Sequence, residues 1–556
     1  MWQWQLEGSE PGKSSALIDG YQEVSLYAES LDESSERPAP VFYWDARLRT
    51  ADADLKIGRL RADVSYALNA VTLRDIRGRT LFLAEMPHRH DRGQRLDWRY
   101  MNLRPSRWLA KRLGQPWMAE QVIGAAELQG PLDRFAAEAA TKGNANCRGG
   151  LVWPAAQAPA DVQLLDMPGV QAMRCDGCSV DSTQGRVVIA PDATLVNVGQ
   201  SDIPWYHKFF GAPQPPYNND QHPYLVWAMY RIDADGSLHP LGSSGVKHAF
   251  YAQNDMCTCA GDNILYRGCS DLYSRSTNDA NSLLGPRDEI APRSGLWGRC
   301  GSVFDPDCNG VENFSGYAVD LYDRRLVVEE SRMLASLHPG ASYWIEAWYL
   351  VREDSNLDNS MARQMLVPGK LGSGWTVSLS GSLSNGPVVS QWVDPADTDP
   401  RSANQLIDRP NGRLRLAVRV SDLGNGEYRY RYALMNLDYA DAQFSGSEPG
   451  LLRLLSQSGA RRLTWPLHPD DGNRLLWRDE TGENGGGWRL TPGSQLQLEA
   501  TSSLGLGWGR MLVVEFSSRF APQPGSVELA LGSSENVNVS TLVPVVVDRI
   551  IRDGFE

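Results

Sequence analysis

The stretch LRLAVRVSDLGNGEYRYRYAL, Leu414 to Leu434, decides the fold class. Leu414, Leu416, Val418 and Val420 alternate with Arg415, Ala417 and Arg419, so one face of an extended segment is apolar. Gly424-Asn425-Gly426 turns the chain, and Tyr428, Tyr430, Tyr432 and Leu434 alternate on the way back. The pattern predicts an antiparallel hairpin with one buried face, because a one-residue slip would move every apolar side chain to the other side.

The same signals recur outward from this hairpin. Asn385-Gly386, Gly485-Gly486-Gly487 and the alternating Gln495-Leu496-Gln497-Leu498-Glu499 have the spacing of a β-sandwich. Upstream lie the apolar runs Tyr224–Tyr230 and Tyr343–Leu350, with Asp233-Ala234-Asp235-Gly236 as a hairpin turn. Nearer the start, Val64, Tyr66 and Leu68, then Val71 and Leu73, then Leu81 and Leu83 follow period two around an Arg77-Gly78-Arg79 turn. One helix is predicted from Pro131 to Gly143, where Leu132, Phe135, Ala136 and Ala139 form a stripe.

A chain of 556 residues exceeds one core. The reading is mainly β and multidomain, with antiparallel β-sandwiches, long disulfide-stapled loops and one or two short helices. Residues 1–145 form an N-terminal β domain with one helix, and 146–192 a linker or disulfide-held connection. Residues 193–370 form a cysteine-rich central β-sandwich, 371–535 a C-terminal β-sandwich and 536–556 a tail.

A formal charge of -13 repels phosphate backbones, which argues against nucleic acid. The basic stretch Arg89–Arg112 is interrupted by Trp98, Trp108 and Leu109 and reads as a solvated face. No window has the apolar length of a membrane span, and Met1-Trp2-Gln3-Trp4-Gln5 shows no signal peptide. The cysteines nevertheless point outside the cytoplasm, to the extracellular space, the cell surface or the periplasm. All eight (Cys147, Cys175, Cys178, Cys257, Cys259, Cys269, Cys300 and Cys308) fall in one central stretch rich in turn residues. Structural disulfides lead this reading; zinc, reduced thiols and a redox role for the C-x-x-C pair Cys175/Cys178 stand beside it.

Candidate chemistry centres on the same region. His222, His248 and Asp271 offer two imidazoles and a carboxylate, a set suited to a transition metal or to acid–base work, with Lys247 and Tyr273 alongside. The alternative is a set of side chains bonded to loop backbone. His88 and His90, at i and i+2, could chelate from one strand face or simply point into solvent. Asp305, Asp307 and Asn309, followed by Gly310, match the opening of a calcium loop. The twelfth position is Gly316, so calcium would need Glu312, Asp320 or a distant carboxylate; a plain turn is the other reading. There is no G-x-S-x-G elbow, P-loop or H-E-x-x-H helix. Trp205, Trp344, Trp348, Trp465, Trp477 and Trp488 are candidate sugar platforms, with core packing the competing role of each.

Gln221-His222-Pro223, Gly245-Val246-Lys247-His248-Ala249-Phe250, Gly268-Cys269-Ser270-Asp271-Leu272-Tyr273, Leu284-Gly285-Pro286-Arg287 and Glu346-Ala347-Trp348-Tyr349 resemble a group of exported bacterial β-rich proteins to which no activity is assigned. Tyr430–Asn436 continues the resemblance, which implies a location rather than a reaction. The ending Asp553-Gly554-Phe555-Glu556 is similar to a short terminus found on exported proteobacterial proteins. Asn197-Val198-Gly199, Gly268–Tyr273, Pro339-Gly340 and Glu353-Asp354 with Asn356 and Asn359 resemble, in order, the lysyl oxidase catalytic domain. That resemblance implies a disulfide-stapled β-sandwich; of the family's copper-binding histidine cluster only His222 is matched, so amine oxidation is not carried over.

Two functions follow as expectations. The first is an exported or surface-associated binding protein for a glycan or protein, with calcium as its one candidate cofactor. The second is a metal-dependent oxidoreductase or hydrolase centred on His222, His248 and Asp271.

Overall fold

The computed structural model describes residues 24–27, 41–49, 54–65, 70–131 and 147–544, with gaps at 87, 90–94, 120, 148–149, 210–214, 218–221, 258, 260, 319, 448–449, 468–470, 472 and 492–493. The chain is mainly β, and the described residues include three short α-helices: Arg107–Arg112, Arg275–Asn278 and Val388–Trp392.

Among the described residues the N-terminal sheet has eight strands. Its order is Val24–Tyr27, Gly124–Pro131, Arg95–Pro105, Thr80–Glu85, Ala70–Asp75, Asp54–Ser65 and Val41–Arg49, with His88–Arg89 beside Arg95–Pro105. The Arg77-Gly78-Arg79 turn forms as its sequence dictates, with Gly78 at φ 77°. Pro131 ends a strand, opposite Arg95. A strand end spares proline the loss of an interior ladder bond. Residues 132–146, where the helix to Gly143 is expected, lie outside the described residues, as does the 545–556 ending. In the basic stretch, the helix Arg107–Arg112 buries Leu109 and Ala110 and leaves Lys111 and Arg112 exposed.

The central sandwich packs a four-stranded sheet on a seven-stranded one. The smaller sheet orders Ser270–Tyr273, Arg186–Asn197 and Leu326–Glu329, with Val162–Asp176 also paired to Arg186–Asn197. Residues 146–192 therefore contribute one complete strand and half of the next. The larger sheet orders Leu284–Gly285, Val246–Lys247, Tyr224–Ile232, Ser342–Leu350, Met361–Leu371 and Gly374–Asn385, with Leu238–Ser243 beside Tyr224–Ile232. Gly374–Asn385 completes this sheet, and the chain enters the next pair of sheets at Ser402.

The run Tyr224–Tyr230 is apolar without alternation because both of its faces are buried. Leu225, Trp227 and Met229 face the four-stranded sheet. Tyr224, Val226, Ala228 and Tyr230 face the opposite way, onto Ala433, Met435, Met511 and Val513 of the C-terminal part.

The C-terminal sandwich consists of a six-stranded and a five-stranded antiparallel sheet. The Leu414–Leu434 stretch forms the predicted hairpin, with Val418 opposite Tyr432. Its bulky face, including Leu416, Val418, Tyr430 and Tyr432, fills the core between the two sheets. The hairpin differs from expectation on its other face. Ala417 and Ala433, both fully buried, let that face lie against the central sheet, so the two sandwiches are fused back to back.

Four disulfides fasten the loops: Cys147–Cys259, Cys175–Cys178, Cys257–Cys269 and Cys300–Cys308. Among the described residues no helix is long and apolar enough to cross a membrane.

Candidate functional site

Lys247 and His248 sit where the short strand Val246–Lys247 pairs with Tyr224–Ile232 on one side and Leu284–Gly285 on the other. Successive side chains of an extended segment point to opposite faces. This alternation divides the expected site into two sets.

The first set is Lys247, Asp271 and Tyr273, inside the central sandwich. Asp271 and Tyr273, two residues apart on the strand Ser270–Tyr273, share the face that looks across to Lys247. The Lys247 ammonium nitrogen lies 3.3 Å from the centre of the Tyr273 ring, and all three residues are fully buried. Asp271 Oδ1 accepts a hydrogen bond from the Gln253 backbone N–H at 2.7 Å. Its Oδ2 and the Lys247 Nζ have no hydrogen-bond partner among the described protein groups. Burial drives the amine of Lys247 down and the carboxyl of Asp271 up, each away from its charged form.

The second set is His222 and His248, on the other face. His222 Nδ1 donates to the Tyr206 carbonyl at 2.7 Å, which leaves Nε2 as an acceptor. His248 Nδ1 donates to that Nε2 at 3.1 Å, so the remaining lone pair of the chain is on His248 Nε2. The His248 ring packs against Trp297 at 4.8 Å and Phe304 at 5.4 Å. A Cβ at Gly285 would stand 2.8 Å from Nε2, so glycine backbone caps the lone pair at close quarters. Burial lowers the His222 pKa to about 3 and holds that of His248 well below its usual value. Both imidazoles are neutral at pH 7.

Asp271 thus stands with the lysine and the tyrosine, across the sheet from the imidazoles. Among the described residues, the two groups of three potential metal-ligating side chains are Cys257/Cys259/Cys269 and Cys175/Cys178/Glu330. All of their sulfurs are in disulfides.

The 305–310 turn uses its oxygens internally. Asp305, fully buried, accepts from the Gly310 N–H at 3.2 Å through both carboxylate oxygens and faces Arg299 at 3.6 Å. Asn309 donates to Asp307 at 2.8 Å and accepts from the Val311 N–H at 2.7 Å. Glu312 is paired with Lys208 and accepts from the Tyr317 hydroxyl at 3.0 Å, and Asp320 accepts from the Tyr322 N–H at 2.8 Å. His88 lies on the strand His88–Arg89, and His90 lies outside the described residues.

Four of the candidate sugar-stacking rings are in cores: Trp205 and Trp465 at 0% exposure, Trp348 at 2% and Trp488 at 5%. Trp344 and Trp477 are half-buried.

Two acidic groups were not legible as part of any site. Glu289 is half-buried beside Trp297, accepts from the Val303 N–H at 2.6 Å and has its pKa pushed up to about 7, chiefly by desolvation of its carboxylate. Glu330 reaches the Cys175–Cys178 pair only because Leu326–Glu329 pairs with Arg186–Asn197, a contact with no local sequence signal. No protein-family model matches the chain, and no curated protein matches its sequence.

Proposed function

We propose that this chain is an exported or surface-associated binding protein whose ligand is another protein. The observation that carries the reading is a set of apolar side chains held in solvent on two segments bonded to each other. Val311 and Phe314 are 66% and 70% exposed just after the loop closed by Cys300–Cys308, and Leu451 and Leu455 are 56% and 58% exposed on the segment bonded to that loop. The segments are bonded to each other: the Cys300 N–H donates to the Leu452 carbonyl and Arg299 to the Gly450 carbonyl, each at 3.3 Å. A rigid support of this kind lowers the entropy lost when a partner covers the apolar groups.

Four disulfides support export, since such bonds persist in oxidising compartments. The burial of four of the six candidate tryptophans, Trp205, Trp348, Trp465 and Trp488, favours protein over glycan as ligand. Burial also weighs against the enzyme reading: among the described residues His222 is 3% exposed, and Lys247, His248, Asp271 and Tyr273 are at 0%.

The test compares the wild-type chain with a variant carrying Val311→Ser, Phe314→Ser, Leu451→Ser and Leu455→Ser. Both are applied to arrayed secreted and cell-surface proteins and to polysaccharides. At least one arrayed protein should bind the wild type and lose about tenfold or more in affinity for the variant. Retention on polysaccharide alone, or equal retention of the two chains, removes the reading. Stoichiometric copper, zinc or iron that disappears in His248→Ala would replace it with the enzyme.

A further inference from the structure

We propose that Cys175–Cys178 is a thiol–disulfide exchange site for protein dithiols, with Glu330 as its proton acceptor. Each of the other three disulfides has at least one buried cysteine: Cys259 and Cys269 at 0% exposure and Cys300 at 6%. In this pair both members are partly exposed, and Asp176, Gly177, Ser179 and Val180 around them are exposed. The sulfurs are therefore within reach of another protein. The bond spans a sequence separation of only 3 at the tip of the hairpin formed by Val162–Asp176 and Arg186–Asn197. Closing so small a loop constrains the unfolded chain little, so the bond adds little to the fold.

The second observation is the carboxylate beside it. A Glu330 oxygen and both sulfurs lie within 4.8 Å of one another. A Cβ at Gly185 would stand 2.5 Å from the Cys178 sulfur and 2.7 Å from Glu330 Oε2, so the absence of a side chain there lets the two approach. Glu330 itself is fully buried. It accepts from the Gly185 N–H at 3.0 Å and from Trp375 Nε1 at 2.8 Å, and pairs with Lys370 at 3.0 Å. Burial opposes its charge, but the hydrogen bonds and the Lys370 ammonium outweigh burial and keep its pKa below the usual value. An ionised carboxylate beside the Cys178 sulfur can take a proton from that thiol.

The exchange balances without a further oxidant. A thiol of the partner dithiol loses its proton and attacks the Cys175 sulfur. A mixed disulfide forms, the Cys175–Cys178 bond breaks, and its electron pair leaves on Cys178, which takes up a proton. The partner's second thiol then loses its proton and attacks its own sulfur in the mixed disulfide, expelling Cys175, which is protonated in turn. The partner dithiol is oxidised by two electrons, and the cysteine pair gains two electrons and two protons. In the reverse direction Glu330 accepts the Cys178 proton as that sulfur attacks.

The test treats the native full-length chain with reduced dithiothreitol, quenches in acid, alkylates and maps the labelled peptides. Cys175 and Cys178 should be labelled about a hundredfold faster than Cys147 and Cys259. Equal rates overturn the site, and this measurement needs no variant. Glu330→Gln should slow re-oxidation by oxidised dithiothreitol about tenfold at pH 7. Lys370→Gln, at a partly exposed position, should shift the pH dependence of re-oxidation upward by weakening the hold on the Glu330 charge. Re-oxidation unchanged in either variant overturns the role of Glu330.

Discussion

Lys247 and His248 are adjacent in the chain and project to opposite faces of one sheet, the first onto Tyr273 at 3.3 Å and the second onto Trp297 at 4.8 Å. This geometry separates a lysine–aspartate pair from a histidine pair and seals each in its own core. Its consequences are thermodynamic, because buried groups that shun their charged forms make stability depend on pH.

The histidine pair makes the fold acid-labile. The folded pKa of His222 is depressed to about 3, while the unfolded chain protonates at the usual imidazole value, about 6.5. Between these values the unfolded state binds more protons, so stability is lost as pH falls through that window. For His222 alone the loss from pH 7 to pH 4 is on the order of 3 kcal/mol. Denaturant titrations of wild type and His222→Gln, which keeps a donor for the Tyr206 carbonyl, should therefore converge on acidification. A gap between the two that is independent of pH would show that His222 titrates freely.

Glu289 acts with the opposite sign. Its folded pKa is raised to about 7 from 4.5, so the folded state holds the extra proton and stability falls as pH rises across that interval. Glu289→Gln keeps an oxygen for the Val303 N–H and removes the charge. Relative to wild type the variant should gain on the order of 3 kcal/mol between pH 4.5 and pH 8. The same denaturant titrations measure it, and a gain that does not grow with pH counts against a Glu289 that stays protonated in the fold.

The disulfides should contribute unequally. Cys147–Cys259 joins residues 112 apart and Cys300–Cys308 residues 8 apart, so the first removes more freedom from the unfolded chain. Replacing both cysteines of the long-range pair with alanine should cost about 5 kcal/mol, and replacing those of the short-range pair about 2.5 kcal/mol. Equal losses would mean that native-state packing around the sulfurs, rather than loop closure, governs their contribution.

The limits of the sequence are visible at particular residues. Alternation at Leu414–Val420 and Tyr428–Leu434 was enough to foresee the hairpin and its bulky face, because that signal is local. The clustered cysteines likewise foretold disulfides, though spacing could not pair them. The candidate site was only half legible. Lys247, Asp271 and Tyr273 do gather, but which of Lys247 and His248 faces Asp271 depends on the register of Val246–Lys247 against Tyr224–Ile232, set by long-range pairing. Glu330 was invisible for the same reason, lying 152 positions from Cys178 in the chain and joined to it only through the sheet.

The fusion of the two sandwiches can be tested at Ala433. Read from the hairpin alone, this position lies on the face away from the C-terminal core, where a larger apolar side chain would cost little. In the fold it is fully buried against the central sheet, near Tyr230, Met435 and Met511. Ala433→Leu should therefore overpack the junction and destabilise the protein by about 1–3 kcal/mol. The damage should fall on the seam between the sandwiches and leave the core that contains Leu416 and Tyr432 intact. Calorimetry should then show one cooperative transition in wild type resolving into two in the variant. A variant as stable as wild type, melting in a single step, would mean that the alanine face is not held against the central sheet.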